Sequence, residues 1–276
     1  MSFVYQRSYR GRIQLAVFDW AGTTVDYGCY APAVVFIEGY RQKGVTITIN
    51  QARAPMGMGK RAHLQTIGAM DEVAAQWQKV HNRPLNQQDV DEMYDAFVPL
   101  LLKTLTDYAT LIPGTVAAIN ALRNEGVKIG GTTGYFTEAM EIVQAAAAKQ
   151  GYAPDASIAA TQVSAGRPAP WMVYRLMNEL AVYPPEAVVK IGDTKPDIEE
   201  GLNAGVWTIG VAKTGNEIGL NEAEIAQLPA AELQRKLARA YATLHQAGAH
   251  YVVDGIGEVP AVLAEINTRL ARGERP

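Results

Sequence analysis

The chain has 276 residues, 48% of them hydrophobic and 19% charged, with a formal net charge of -3. This composition belongs to a folded globular chain, with material for one large domain or one domain carrying a smaller module, and it excludes extended disorder. There is no basic excess to steer the chain onto nucleic acid or an anionic membrane surface, so a small-molecule partner is expected, with no nucleic acid and no membrane.

The single cysteine, Cys29, rules out an internal disulfide and suits a reducing compartment. The opening "MSFVYQRSYRGRIQ" has no apolar stretch of the secretory kind, and no later segment is long and apolar enough to span a bilayer. Both features predict a cytoplasmic protein.

The first element is "IQLAVFD", a short apolar run rich in β-formers that closes on Asp19 and a Gly/Thr turn, which predicts a buried parallel strand. From about Tyr27 to Asp107 the texture changes. "APAVVFIEGYRQKG", "APMGMGKRAHLQTIGAM", "DEVAAQWQKVHNR" and "NQQDVDEMYDAFVPLLLKTL" read as successive helices edged by Pro and Gly. That segment is too long for a simple crossover and predicts an inserted helical cap.

A helix over Pro113 to Glu125 then stops at Gly126, and "VKIGGTTGY" predicts a strand running into a Thr/Gly turn. "AVVKIGDTKPD" repeats the pattern before the helix "IEEGLNAG", and "VWTIGVAKTG" supplies a further strand. Alternating strands and helices predict an α/β fold: a doubly wound, Rossmann-like parallel sheet built from residues 1–26 and 108–276, with an α-helical cap over 27–107. The tail from Asn221 to Pro276 is too mixed for assignment.

Four polar signals fall just past successive strands or in the loops that follow: Asp19 in "DWAGTT", Thr133 in "TTGY", Arg167 in "GRPAP", and the pair Asp193 and Asp197 in "GDTKPD". In open α/β sheets, ligands bind beyond the carboxyl ends of the strands. Carboxylates there can hold a hard cation such as Mg²⁺, while a hydroxyl, turn amides and a guanidinium neutralise phosphoryl oxygens. Each residue also has a plain structural reading: Thr133 as a turn residue, Arg167 as a surface ion-pair partner, Asp193 as a helix cap, Asp197 as a first-turn acid. Asp19 resists such a reading, because a carboxylate after a buried strand is costly unless paired or metal-bound.

In this order the motifs resemble those of the haloacid dehalogenase-like hydrolases, with the helical segment at the usual cap insertion point. The resemblance implies that Asp19 attacks phosphorus and forms an aspartyl-phosphate, that Asp193 ligates Mg²⁺ with Asp197 behind it, and that Thr133, Gly134 and Arg167 bind the phosphoryl group.

One position departs from the family's phosphatases. Two residues after the nucleophile they carry an Asp that protonates the departing alkoxide; this chain has Ala21. Either the phosphatase is weakened or the leaving group is not oxygen. A leaving carbanion needs an electron sink, and a carbonyl one carbon away serves best once a lysine has turned it into a protonated imine. Lys60 in "PMGMGKRAHLQ" is the candidate, with His63 on the same helical face for proton transfer. Taken alone, Lys60 is equally a solvated surface lysine and His63 a polar surface or core histidine.

"VFDWAGTTVDYGC", "PMGMGK", "TTGY", "GRPAPWM" and "GDTKPD" together resemble the family's C–P-cleaving branch. That resemblance implies hydrolysis of phosphonoacetaldehyde to acetaldehyde and phosphate, with Lys60 as the Schiff-base lysine, His63 as the cap histidine, Tyr135 lining the site and the Ala21 carbonyl as a metal ligand. It also implies a homodimer. Met56 and Cys29 are candidates for the closed site, though each is equally packing material. Trp20 and Trp171 are expected in the core or against the cap, and Asp26 has no assigned role. Two alternatives stay open: a phosphate-ester phosphatase or phosphomutase, and a silent phosphometabolite-binding module.

Overall fold

The computed structural model describes residues 8–276. Its six strands are β1 (Leu15–Asp19), β2 (Lys128–Thr133), β3 (Ala156–Ala159), β4 (Val188–Gly192), β5 (Trp207–Val211) and β6 (Tyr251–Val253). They form one sheet in the order β3-β2-β1-β4-β5-β6, with every neighbouring pair parallel. The order turns around between β1 and β4, so the crevice beyond their carboxyl ends is where a ligand is expected.

Every residue of β1, β4 and β5 is buried, because helices cover both faces of the sheet. Side chains alternate along β1: Ala16 and Phe18 join one hydrophobic cluster, Leu15 and Val17 the other. Each large apolar side chain buried this way contributes about 1.5–3 kcal/mol, which fixes the register that brings Asp19 level with Thr132.

Between β1 and β2 lie α1 (Tyr30–Gln42), α2 (Ile49–Arg53), α3 (Lys60–Gly68), α4 (Asp71–His81) and α5 (Gln87–Thr104). Helix α6 (Thr115–Asn124) leads into β2, α7 (Thr137–Ala148) follows it, α8 (Trp171–Glu179) precedes β4 and α9 (Lys195–Ala204) follows it. The segment the sequence leaves unassigned holds α10 (Glu222–Gln227), α11 (Ala230–Gln246), the edge strand β6 and α12 (Val259–Ala271).

Two sequence expectations need correction. "APMGMGKRAHLQTIGAM" is not one helix: a turn over 54–58 precedes α3, because Gly57 at φ +90° cannot continue a right-handed helix. Trp20 is buried as expected, but Trp171 is 47% exposed at the start of α8, where its ring meets Tyr174 rather than the helices of the insertion.

The chain leaves and re-enters the sheet region side by side. Asp26 N–H donates to the Thr110 carbonyl at 3.1 Å, and Ile112 N–H to the Thr24 carbonyl at 2.9 Å. Asp26 gains a role here, since its carboxylate accepts the N–H groups of Tyr30 and Ala31 and so closes the first turn of α1. Burial, partly offset by those two N–H groups, pushes its carboxyl up to about 6.

Candidate active site

Asp19 ends β1, and the turn after it wraps so tightly that Thr24 and Val25 N–H both donate to the Trp20 carbonyl. Gly22 sits in that turn at φ +85°, where a side chain would collide with the Asp193 carboxylate. Asp193 follows β4; its carboxylate accepts the Asn216 N–H at 2.7 Å and the Thr23 hydroxyl at 3.2 Å. Two strand ends at the reversal of strand order thus bring two carboxylates together.

Carboxylate oxygens of Asp19, Asp193 and Asp197 lie within 4.8 Å of one another, all buried. Burial raises the Asp19 carboxyl, with Arg167 as the main opposing influence. Asp193 is pushed well above the carboxylate range by burial and then by the charges of Asp19 and Asp197. For Asp197 burial is outweighed by Arg167 and Lys190, which hold it low. Its oxygens are already engaged by Lys190 Nζ at 2.6 Å, Arg167 Nη1 at 2.9 Å and the Thr194 hydroxyl at 2.5 Å. Asp19 and Asp193 are therefore the under-neutralised pair, and a buried pair of hard anionic oxygens fits a small hard cation.

Arg167 reaches in from the loop after β3. Its Nη2 donates to Asp19 Oδ1 at 2.6 Å and to the carbonyl and hydroxyl of Thr132 at 2.9 Å, while Nε donates to Glu200 Oε2 at 3.1 Å. The expected surface ion pair is instead a guanidinium with a side chain only 1% exposed. Thr133 Oγ accepts the Tyr135 N–H at 3.1 Å, so this hydroxyl shapes the turn that presents Gly134 and Tyr135.

Lys60 is the first residue of α3 and is buried. Its Nζ lies 4.8 Å from the centre of the Tyr135 ring and 5.6 Å from that of Phe36. No carboxylate pairs with it among the described residues. Burial lowers its pKa to about 8, against the charge of Asp19. A cation at a helix N-terminus also meets the positive end of the dipole, which favours the neutral amine further.

Lys60 and Asp19 share one tight cleft, with Ala21, Cys29, Met56, Thr133, Gly134, Tyr135 and Arg167 also in its lining. The Cys29 thiol is buried and pushed up by burial and Asp193, so it stays protonated. Asp193 and Asp197 lie just beyond the lining, alongside Asp19.

His63 does not line the cleft. Its Nε2 donates to the Ala52 carbonyl at 2.8 Å, its ring stacks on Phe36 with centroids 3.8 Å apart, and Nδ1 has no partner among the described residues. Burial and the charge of Lys60 hold it well below the ordinary histidine pKa, so the ring is neutral.

Pro32, Gly57 and Thr194 also line the cleft but give no chemical signal in sequence. Thr132, Lys190 and Glu200 surround Arg167 and were missed as well. A lysine inside the apolar run of β4 was the available clue, since both faces of such a strand are buried.

Residues 13–205 match the haloacid dehalogenase-like hydrolase family. Over 99% of both chains this sequence is 46% identical to the phosphonoacetaldehyde hydrolase of Syntrophobacter fumaroxidans. It is 43% identical to that of Klebsiella pneumoniae, over 96% of this chain and 99% of the relative. The crystal structure of a phosphonoacetaldehyde hydrolase-like protein from Oleispira antarctica superposes with a TM-score of 0.97, at 37% identity and full coverage of both chains. The chain belongs to the haloacid dehalogenase-like hydrolases.

Proposed function

We propose that this enzyme hydrolyses the C–P bond of phosphonoacetaldehyde, releasing acetaldehyde and phosphate. The observation that carries the reading is that Lys60, an amine with no carboxylate partner among the described residues, opens onto the same small cleft as Asp19, while Ala21 occupies the position of the acid an ester phosphatase needs. The names of the full-length relatives support the same substrate.

In this reading the neutral Lys60 amine adds to the aldehyde carbon and expels water, leaving a protonated imine. An Asp19 oxygen attacks phosphorus, the P–C bond breaks, and its electron pair moves into the imine to give an enamine. Protonation of the enamine carbon regenerates an imine. Water then hydrolyses the imine to acetaldehyde and the free amine, and hydrolyses the aspartyl-phosphate to phosphate. Arg167 and the turn at Thr133 and Gly134 orient the phosphoryl oxygens. Tyr135 packs beside the amine and keeps it from water, and its raised pKa leaves the phenol protonated. We retain His63 as proton carrier for imine formation, on its neutral ring and unpartnered Nδ1.

We assign Mg²⁺ as the cation, held by Asp19, Asp193 and the Ala21 carbonyl with Asp197 in support; when bound it supplies neutralisation of developing phosphoryl charge. The helices over 27–107 form the cap that excludes water from the cleft. On the same resemblance we take the working form to be a cytoplasmic homodimer, which sedimentation would test. The described helices include none long and apolar enough to cross a membrane.

The direct test is a product assay. Phosphonoacetaldehyde with Mg²⁺ should give equimolar acetaldehyde and phosphate, and phosphate monoesters should give little. Preferential release from monoesters would favour the phosphatase reading, and no release from either would favour a binding module.

A further inference from the structure

Behind the cleft lies a group of four charges that reaches Asp19 through Arg167. Asp197 and Glu200 are three residues apart on α9, so their side chains share one helical face. That face meets Lys190 from β4 and Arg167 from the loop after β3. Lys190 Nζ contacts Asp197 Oδ1 at 2.6 Å and Glu200 Oε2 at 3.7 Å; Arg167 contacts the same two oxygens at 2.9 and 3.1 Å. All four are buried, and Lys190, Asp197 and Glu200 have no exposed surface at all.

Two carboxylates against one guanidinium would leave Arg167 over-neutralised and poor at attracting an anion. Lys190 supplies the second positive charge of the group and offsets Glu200 and Asp197, leaving Arg167 to meet Asp19 as well. Isolated buried charges are costly, whereas an alternating and hydrogen-bonded set is tolerated and rigid.

A guanidinium is a flat fork that pivots on a flexible stem, and its usefulness depends on where the fork points. Here Glu200 takes the stem-side Nε, Asp197 takes Nη1, and Thr132 takes Nη2, the nitrogen that also meets Asp19. The Thr132 hydroxyl in turn donates to Glu200 Oε2 at 3.3 Å, so a single oxygen braces both the fork and one of its supports.

We propose that Glu200, balanced by Lys190, is the positioning residue of Arg167 and aims the guanidinium at the phosphoryl group and the nucleophile. Glu200 acts through the reach of Oε2. Its other oxygen, Oε1, has no partner among the described residues, so replacing it by an amide NH₂ removes the charge facing Arg167 and Lys190 but none of the hydrogen bonds to Oε2.

This inference rests on the phosphonate reading, and the test separates the two. Glu200→Gln keeps the acceptor in place and removes the charge; Glu200→Asp keeps the charge and withdraws the acceptor by one carbon. Misplacement of this order costs about tenfold to a hundredfold in rate. Glu200→Asp is therefore expected to lose about that factor in kcat and to weaken inhibition by inorganic phosphate, while Glu200→Gln stays within about fivefold of the parent. Borohydride trapping of the aldehyde at Lys60 should be unchanged in both, since Lys60 is outside this group. Glu200→Asp at parental kcat, or Glu200→Gln falling further than Glu200→Asp, would overturn the proposal. Absence of trapping in the parent enzyme would instead overturn the phosphonate reading.

Discussion

The two sides of the cleft are built on opposite electrostatic plans. On the sheet side, Asp19 is set among charges: Arg167 on one oxygen, Asp193 and Asp197 nearby, and Lys190 and Glu200 behind. On the helical side, Lys60 is set beside the Phe36 ring, with Tyr135 from the turn after β2 facing it where a counter-ion would ordinarily sit. In the proposed mechanism, the first arrangement opposes the effect of burial and favours an ionised Asp19 as nucleophile. The second makes the neutral amine accessible near neutral pH. With a pKa of about 8, roughly a tenth of Lys60 is neutral at pH 7; for an ordinary lysine the fraction is about one in three thousand.

The largest effects should come from removing either centre. Asp19→Asn and Lys60→Arg are each expected to lower phosphate release at least about a thousandfold without unfolding the chain. Steady-state assays beside thermal melts check this, and retained turnover in either variant would break the division of labour.

Ala21→Asp would blur the contrast by placing a carboxylate in the cleft wall opposite the amine. A nearby negative charge favours the protonated amine, so the Lys60 pKa rises and less neutral amine exists at pH 7. Phosphonate turnover at pH 7 should fall by about tenfold or more, and the rising limb of the pH–rate profile should move to higher pH. A profile from pH 6 to 9 that stays in place would detach Ala21 from the behaviour of the lysine.

Gly57→Ala probes the contact between the sides. Gly57 lies at φ +90°, and a side chain there would meet the Thr194 hydroxyl. We expect about a tenfold loss in kcat/KM from poorer closure over the cleft. Unchanged kinetics would mean that the close approach of this turn to Thr194 has no part in turnover.

The smallest effect is assigned to His63, one layer behind the lysine. His63→Gln should slow imine trapping by about tenfold or less, while inhibition by phosphate stays constant. Unaltered trapping would leave the ring as packing against Phe36.

Much of the sheet side is legible in sequence, because strand ends announce themselves as apolar runs that close on a polar residue. Asp19, Thr133 and Asp193 all follow that pattern, and the sheet order brings their ends together. Strands β3 and β6 escaped notice for the opposite reason: "ASIA" and "YVV" are too short to stand out from their surroundings. The charge group around Arg167 was hidden differently. Glu200 reads as one more acid on an amphipathic helix, and only the packing of α9 against β4 makes it a partner of a loop arginine. On the helical side the motif drew attention to Lys60, but the exclusion of His63 from the cleft depends on where Phe36 and Ala52 lie, which helix periodicity alone does not specify.

The central claim, that the amine and the carboxylate act on one substrate from opposite walls, is tested most directly by borohydride trapping with phosphonoacetaldehyde and mapping of the modified peptide. The parent enzyme should carry an ethyl group on Lys60, because cleavage precedes reduction. Asp19→Asn should carry a phosphonoethyl group on the same residue, because the imine forms and the P–C bond survives. In both, labelling should quicken as pH rises through about 8. Phosphate release with no label on Lys60, or a label on another lysine, would contradict the account.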